Sequence, residues 1–166
     1  MSGAPQANAV NGSLQYVNTG EEQVYNKALD AGLFDYMLVQ DYNTADNWID
    51  SDGNLLPKHS PEGATELDPD FMYNSYMALK KITPKSTQIV IGEPATAAAA
   101  GAGTIFHGPA EDAPYKAMCE QYAKLSKVGG NYGGAMTWEI VVDSKNNYSF
   151  ANAFHAGNKG NCEDVE

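Results

Sequence analysis

The feature that most limits the folds open to this chain is a set of three short stretches that are apolar or β-branched almost without interruption. They run from Tyr36 to Tyr42 (YMLVQDY), Gln88 to Gly92 (QIVIG) and Ala135 to Val142 (AMTWEIVV). A strand with one wet face alternates apolar and polar residues, whereas a strand buried on both faces does not, and doubly buried strands belong to parallel sheets. Helical patterns separate them. Glu21 to Ala31 puts Val24, Ala28 and Leu29 on one face, starts with acids and stops at Gly32. Asp68-Pro69-Asp70 supplies an N-cap, a first-turn proline and favourable charge to FMYNSYMALKK, in which Phe71, Met72, Tyr76 and Leu79 fall at helical spacing. A third helix, from about Pro114 to Ser126, buries Met118, Tyr122 and Leu125. Strand and helix in alternation predict an α/β fold with right-handed crossovers.

Two long loops follow strand ends: Asn43 to Leu67, and Glu93 to Asp112 with its ATAAAAGAG stretch. Folds of this class place their sites beyond the C-terminal ends of parallel strands. From Gly157 the chain reads as a polar tail (GNKGNCEDVE), so the division is a domain over 1–156 and a tail over 157–166. With 166 residues and 43% of them hydrophobic, the chain has enough apolar material for one core.

The charge balance excludes a class of partner. The net charge is -11, with ten lysines, twenty-one acids and no arginine, so the fork that clamps phosphates and base edges is missing and nucleic acid is not expected. No apolar run reaches the roughly 20 residues of a membrane helix, and the opening MSGAPQANAVNGSLQ lacks the regions of a signal peptide. Two cysteines, Cys119 and Cys162, are too few for a disulfide scaffold or a paired-cysteine zinc site. Cys119 sits in a helical pattern and reads as a buried thiol; whether the two pair stays open. No phosphate loop, GxSxG elbow or HExxH occurs, and His59, His107 and His155 are scattered, so no cofactor and no metal are expected. Asn11-Gly12-Ser13 and Asn147-Tyr148-Ser149 are weak glycosylation sequons.

The chemistry-bearing residues are polar and aromatic side chains inside buried strands. Gln40 and Tyr42 share a face by the two-residue period, as do Met136 and Trp138. A buried amide needs partners that a plain apolar core does not supply. Tryptophan is a core residue in most settings and is also the side chain that stacks best on the apolar face of a sugar ring.

These segments resemble a family. Phe34 to Asn43 (FDYMLVQDYN), Gln88 to Ala95 (QIVIGEPA) and Gly133 to Phe154 (GGAMTWEIVVDSKNNYSFANAF) look like the sixth, seventh and eighth strands of the bacterial chitinases of glycoside hydrolase family 18. Ser2 to Val10 (SGAPQANAV) looks like their fifth. The last segment is the most specific, with its Gly-x-Met-x-Trp strand, a following Asp and a Tyr-Ser-Phe-Ala helix start. The resemblance implies a partial (β/α)8 TIM barrel, since a whole one takes about 250 residues. It implies four parallel strands near 2 to 6, 36 to 42, 88 to 92 and 134 to 141, adjacent in that order.

What the resemblance implies for function follows residue by residue. Tyr42 matches the tyrosine that hydrogen-bonds the substrate acetamido group, and Trp138 matches the floor under the cleaved sugar. Gln40, Asn43, Gln6 and Met136 match positions lining that cleft. The family hydrolyses β-1,4-linked N-acetylglucosamine polymers with the substrate acetamido oxygen as nucleophile and a glutamic acid as proton donor, a variant on the two-carboxylate scheme. That acid lies in an Asp-x-x-Asp-x-Asp-x-Glu strand, and no such motif occurs in these 166 residues. The implied reading is a substrate-binding half without the acid, with chitin or chito-oligosaccharide and a missing N-terminal half-barrel as partners and a secreted location by analogy. The alternatives are a non-catalytic chito-oligosaccharide binder and an inactive fragment. Glu93 departs from the family pattern; it shares parity with Ile89 and Ile91, could reach the cleft, and is read as a subsite or structural carboxylate. Asp41 and Glu139 should point away from the barrel interior.

Overall fold

The computed structural model describes residues 1–18, 23–44 and 47–166. They form one mixed sheet with helices packed on it. Strands β1 (Ser2–Gly3) and β2 (Gln6–Val10) are two pieces of one run interrupted at Pro5, which has no N–H to give to a ladder. Both lie along β4 (Tyr36–Gln40), β1 at its start and β2 at its end, where Gln6 pairs with Gln40. Strand β5 (Gln88–Pro94) adds to β4, and β6 (Tyr132–Trp138) adds to β5, all in parallel.

The parallel order expected from the sequence is therefore present, with one addition. Strand β3 (Ser13–Val17) turns back on β2 as an antiparallel hairpin and forms the outer edge. Its two-residue turn is Asn11-Gly12, both at positive φ (52° and 81°), the conformation in which an Asn-Gly hairpin turn matches strand twist.

The core lies between one face of the sheet and helices α2 (Phe71–Leu79) and α3 (Pro114–Val128). Met37, Val39, Ile89 and Ile91 point into it from the sheet; Phe71, Met72, Tyr76, Leu79, Met118, Tyr122 and Leu125 meet them from the helices. Every residue expected on the buried stripes of α2 and α3 is there. The cap of α2 differs from expectation. Asp68 accepts the amide of Thr65 at 2.9 Å and so closes the preceding turn, while Asp70 at the N-cap position reaches α3, accepting from Gln121 at 2.9 Å.

Three expectations fail for local reasons. Helix α1 (Asn26–Asp30) is a short turn that buries Leu29 but leaves Val24 before it and exposed; Glu21 lies outside the described residues. The strand expected over Ala135 to Val142 stops at Trp138, and Ile140–Lys145 is helix α4. β5 ends at Pro94 opposite Trp138, so Ile140 and Val141 have no ladder to join and are exposed despite their β-branched side chains. Finally, helix α5 (Ser149–Lys159) runs through Gly157, which sits against the backbone of α3, and Cys162 is disulfide-bonded to Cys119. Cys119 is buried as read, but as half of a disulfide.

Asp143 joins α4 to α5. Fully buried, it accepts the amides of Phe150 at 2.9 Å and Ala151 at 3.3 Å, satisfying donors in the first turn of α5. The loop after β4 is likewise tied down. Ile49 is fully buried and bridges to Leu55 and Ala64, and Lys81 of the segment after α2 donates to the Gly53 carbonyl at 2.9 Å.

Candidate functional site

The sheet has two unlike faces, and the residue period separates them. Met37, Val39, Ile89 and Ile91 face the helices, so their neighbours in the strands face the other way. Gln6, Gln40, Gly92 and Met136 are register partners in one row across β2, β4, β5 and β6 on that second face. The row lies toward the C-terminal ends of the parallel strands, and Trp138 follows one layer further out, opposite Pro94.

Gly92 fits the row because it has no side chain. A Cβ there would lie 2.5 Å from the Met136 Cε and 2.6 Å from the Val39 carbonyl, so Met136 lies across a gap that only glycine leaves. The Gln40 amide nitrogen donates to the Ala4 carbonyl at 2.7 Å and that of Gln6 to the Asn43 carbonyl at 3.1 Å. Each amide is thereby fixed by its nitrogen, and its oxygen remains available as an acceptor. Asn43 is exposed and left-handed (φ 50°), held by its own N–H on the Gly103 carbonyl at 2.7 Å. The loop between β5 and α3 closes on it so tightly that a Cβ at Gly101 would stand 2.8 Å from the Asn43 side-chain oxygen.

Trp138 is 55% exposed, more than a core tryptophan would be, and its ring is available to a flat apolar ligand face. Tyr42 lies past the end of β4 and is buried. Burial, with the Glu93 carboxyl adding to it, pushes its phenol up to about 12. The hydroxyl is therefore protonated across the physiological range and can donate a hydrogen bond.

Glu93 is not part of the row. Its parity with Ile89 and Ile91 places it on the helix-covered face, 2% exposed, opposite Thr137 and beside Asp41. The side chain, read as able to reach the cleft, lies buried on the helix-covered face instead. Asp41 points away from the row as the alternation predicted, and Ser75 of α2 donates to it. The sequence reading passed over Glu66, whose carboxylate accepts both the amide and the hydroxyl of Thr44 and so anchors the start of the loop next to Asn43. It passed over the glycines of the β5–α3 loop as well; only the GAG spacing hints at their close packing.

A second concavity, about 850 Å³, lies far from this row against α3 and the C-terminal segment and is lined by Tyr73, Lys116, Glu120, Lys124 and Lys127. Lys124 already occupies the Tyr73 ring, its ammonium 3.8 Å from the centroid. No group of three or more metal-ligating side chains occurs among the described residues, and no helix there is long and apolar enough to cross a membrane.

Comparison with known proteins gives a consistent relationship. No family model matches the chain. It is 30% identical over 128 residues to an acidic endochitinase of Vitis vinifera, covering 77% of this chain and 35% of that protein. It is 31% identical over 118 residues to the acidic endochitinase SE2 of Beta vulgaris, covering 70% and 31%. The crystal structure of a chitinase A assigned in Streptomyces coelicolor superposes with a TM-score of 0.61 at 20% identity, over 96% of this chain and 50% of that one, a likeness of fold. The chain is thus homologous to chitinases. It spans about a third of the length of the curated relatives it matches and half of the solved structure.

Proposed function

We propose that this chain is the substrate-binding half of a chitinase-like glycoside hydrolase of family 18, equivalent to strands five to eight of a (β/α)8 barrel, and that it binds chains of β-1,4-linked N-acetylglucosamine. The observation that carries the reading is the polar and aromatic row at the strand ends. Gln6, Gln40 and Met136 share one register line, with the exposed Trp138 one layer beyond them. Homology to endochitinases supports the substrate class.

In this reading Trp138 is the apolar floor on which a sugar ring rests, and the oxygens of Gln6 and Gln40 accept from sugar hydroxyl or acetamido N–H groups. Tyr42 donates a hydrogen bond that holds the acetamido oxygen in line with the anomeric carbon it attacks. The step that this chain does not supply is protonation of the leaving glycosidic oxygen. No Asp-x-x-Asp-x-Asp-x-Glu motif occurs in the sequence, and Glu93 and Asp41 are turned to the helices. A companion half-barrel bearing that acid is the partner implied. The Cys119–Cys162 disulfide supports an oxidising, extracytoplasmic setting, where chitin is met.

A second reading, a chito-oligosaccharide binder without catalysis, is favoured by the same missing acid. Turnover of a fluorogenic chitobioside separates the two. General acid catalysis contributes about 100- to 10,000-fold, so the chain alone should show no measurable turnover, and addition of a half-barrel carrying the acid motif should restore it. Sugar binding without restored turnover would favour the binder, and turnover by the chain alone, lost in Glu93→Gln, would overturn both.

A further inference from the structure

The helix-covered face of the sheet holds two carboxyls side by side behind the site. Asp41 follows the last residue of β4 and Glu93 lies near the end of β5, and the Asp41 amide donates to the Gly92 carbonyl at 3.0 Å. They are neighbours across parallel strands, which run about 4.8 Å apart, on the face of Val39 and Ile91. Asp41 is 0% and Glu93 2% exposed. The Ser75 hydroxyl donates to one oxygen of Asp41; the other, Oδ1, has no partner, and neither has Oε2 of Glu93 nor the hydroxyl of Thr137 opposite it on β6.

The groups that surround the pair do not neutralise it. Glu66, from the segment before α2, adds negative charge to both. The phenols of Tyr16 on β3, Tyr42 beside the pair and Tyr122 on α3 feel its charge and are themselves held protonated by burial. None of the described groups that act on Asp41 or Glu93 is a lysine or a histidine. Two anions in this position would lose their water, repel each other and leave lone pairs without donors, and a buried carboxyl escapes that cost by keeping its proton.

We propose that Asp41 and Glu93 form a proton-dependent latch between β4 and β5. While the pair keeps at least one proton, the strand ends carrying Gln40, Tyr42 and Gly92 stay joined under α2; full ionisation drives them apart. This stands on the packing of the covered face and is independent of any sugar bound on the other.

The pH dependence has a definite sign. Burial pushes Asp41 up to about 8, Glu66 adding and the Ser75 bond opposing; burial, then Asp41 and Glu66, raise Glu93 as well. A carboxyl whose folded pKa is raised stabilises the fold fully below its ordinary unfolded value near 4, and that stability is lost as pH rises through about 8. Each retained proton makes the unfolding equilibrium constant rise about tenfold per pH unit in between.

Urea unfolding from pH 5 to 9 tests this on the whole chain. The wild type should lose stability at that rate until about pH 8, and the Asp41→Asn, Glu93→Gln double variant, whose amides cannot ionise, should lose most of the slope. The same slope in both proteins would overturn the proposal. Infrared spectroscopy of the wild type is the second arm, independent of whether the double variant folds: an un-ionised carboxyl C=O band should be present at pH 7 and weaken as pH rises through about 8, and its absence at pH 7 would overturn the proposal. Hydrogen exchange reads the latch itself. Protection of the Asp41 amide should fall at alkaline pH ahead of the β2–β3 hairpin, and uniform loss across the sheet would contradict it.

Discussion

Gly92 decides the shape of the cleft row through what it lacks. A methyl group there would meet the backbone carbonyl of Val39 on the neighbouring strand as well as the flexible end of Met136, and a backbone neighbour cannot rotate away. Gly92→Ala should therefore destabilise the fold by about 1–3 kcal/mol, the range for overpacking a filled site. Urea unfolding midpoints measure it, and a change under about 0.5 kcal/mol, the ordinary surface value, would mean that Met136 does not fill that gap. At this scale the two-residue period was the legible part: it separates Gln40 from Asp41 correctly, and applied strictly to Glu93 it predicts the covered face where that residue lies. The role of Gly92 was not legible, because it depends on Met136, more than forty residues away in sequence, and on no local pattern.

Helices α2 and α3 were legible as elements because an amphipathic stripe is written at 3.6-residue spacing and needs no knowledge of its partner. Ile140 to Val142 misled for the converse reason. Their β propensity is a preference for a pleated, half-buried surface, and β6 has no neighbour beyond Pro94 to offer one. The Asn-Gly turn that makes the β2–β3 hairpin was present in the sequence and went unread. The cysteine pairing was beyond local reading, since two residues separated by 43 positions meet only when α5 docks on α3. Closing a loop of that size stabilises a fold by about 2–4 kcal/mol, chiefly by restricting the unfolded chain. Cys162→Ser should cost that much in urea unfolding, and adding a reductant to the wild type should reproduce the loss. Equal stability of oxidised and reduced protein would show that packing at Gly157, not the bridge, holds the C-terminal segment.

As a whole molecule the chain is a sheet dressed on one side. Its helices cover the face of Val39 and Ile91, and the opposite face presents Tyr36 and Trp138 partly to solvent, 48% and 55% exposed. A closed barrel would bury that face with side chains from the remaining strands. The one-sidedness accords with a chain that covers half of the solved chitinase structure. The fold relationship was legible through the resemblance, because the end-of-strand residues that carry it, such as Gly134, Met136 and Trp138, lie within short contiguous segments. The proposed division of labour between this chain and an acid-bearing partner rests on a motif these 166 residues do not contain. The central claim is that this face binds N-acetylglucosamine oligomers through Trp138 and does not cleave them. Calorimetric titration of the purified chain with such an oligomer, followed by product analysis of the same sample, tests it most directly. Saturable binding should weaken at least tenfold, or about 1.4 kcal/mol, in a folded Trp138→Ala variant, with the oligomer recovered intact. Binding unaffected by that substitution, or an oligomer recovered in pieces, would contradict the account.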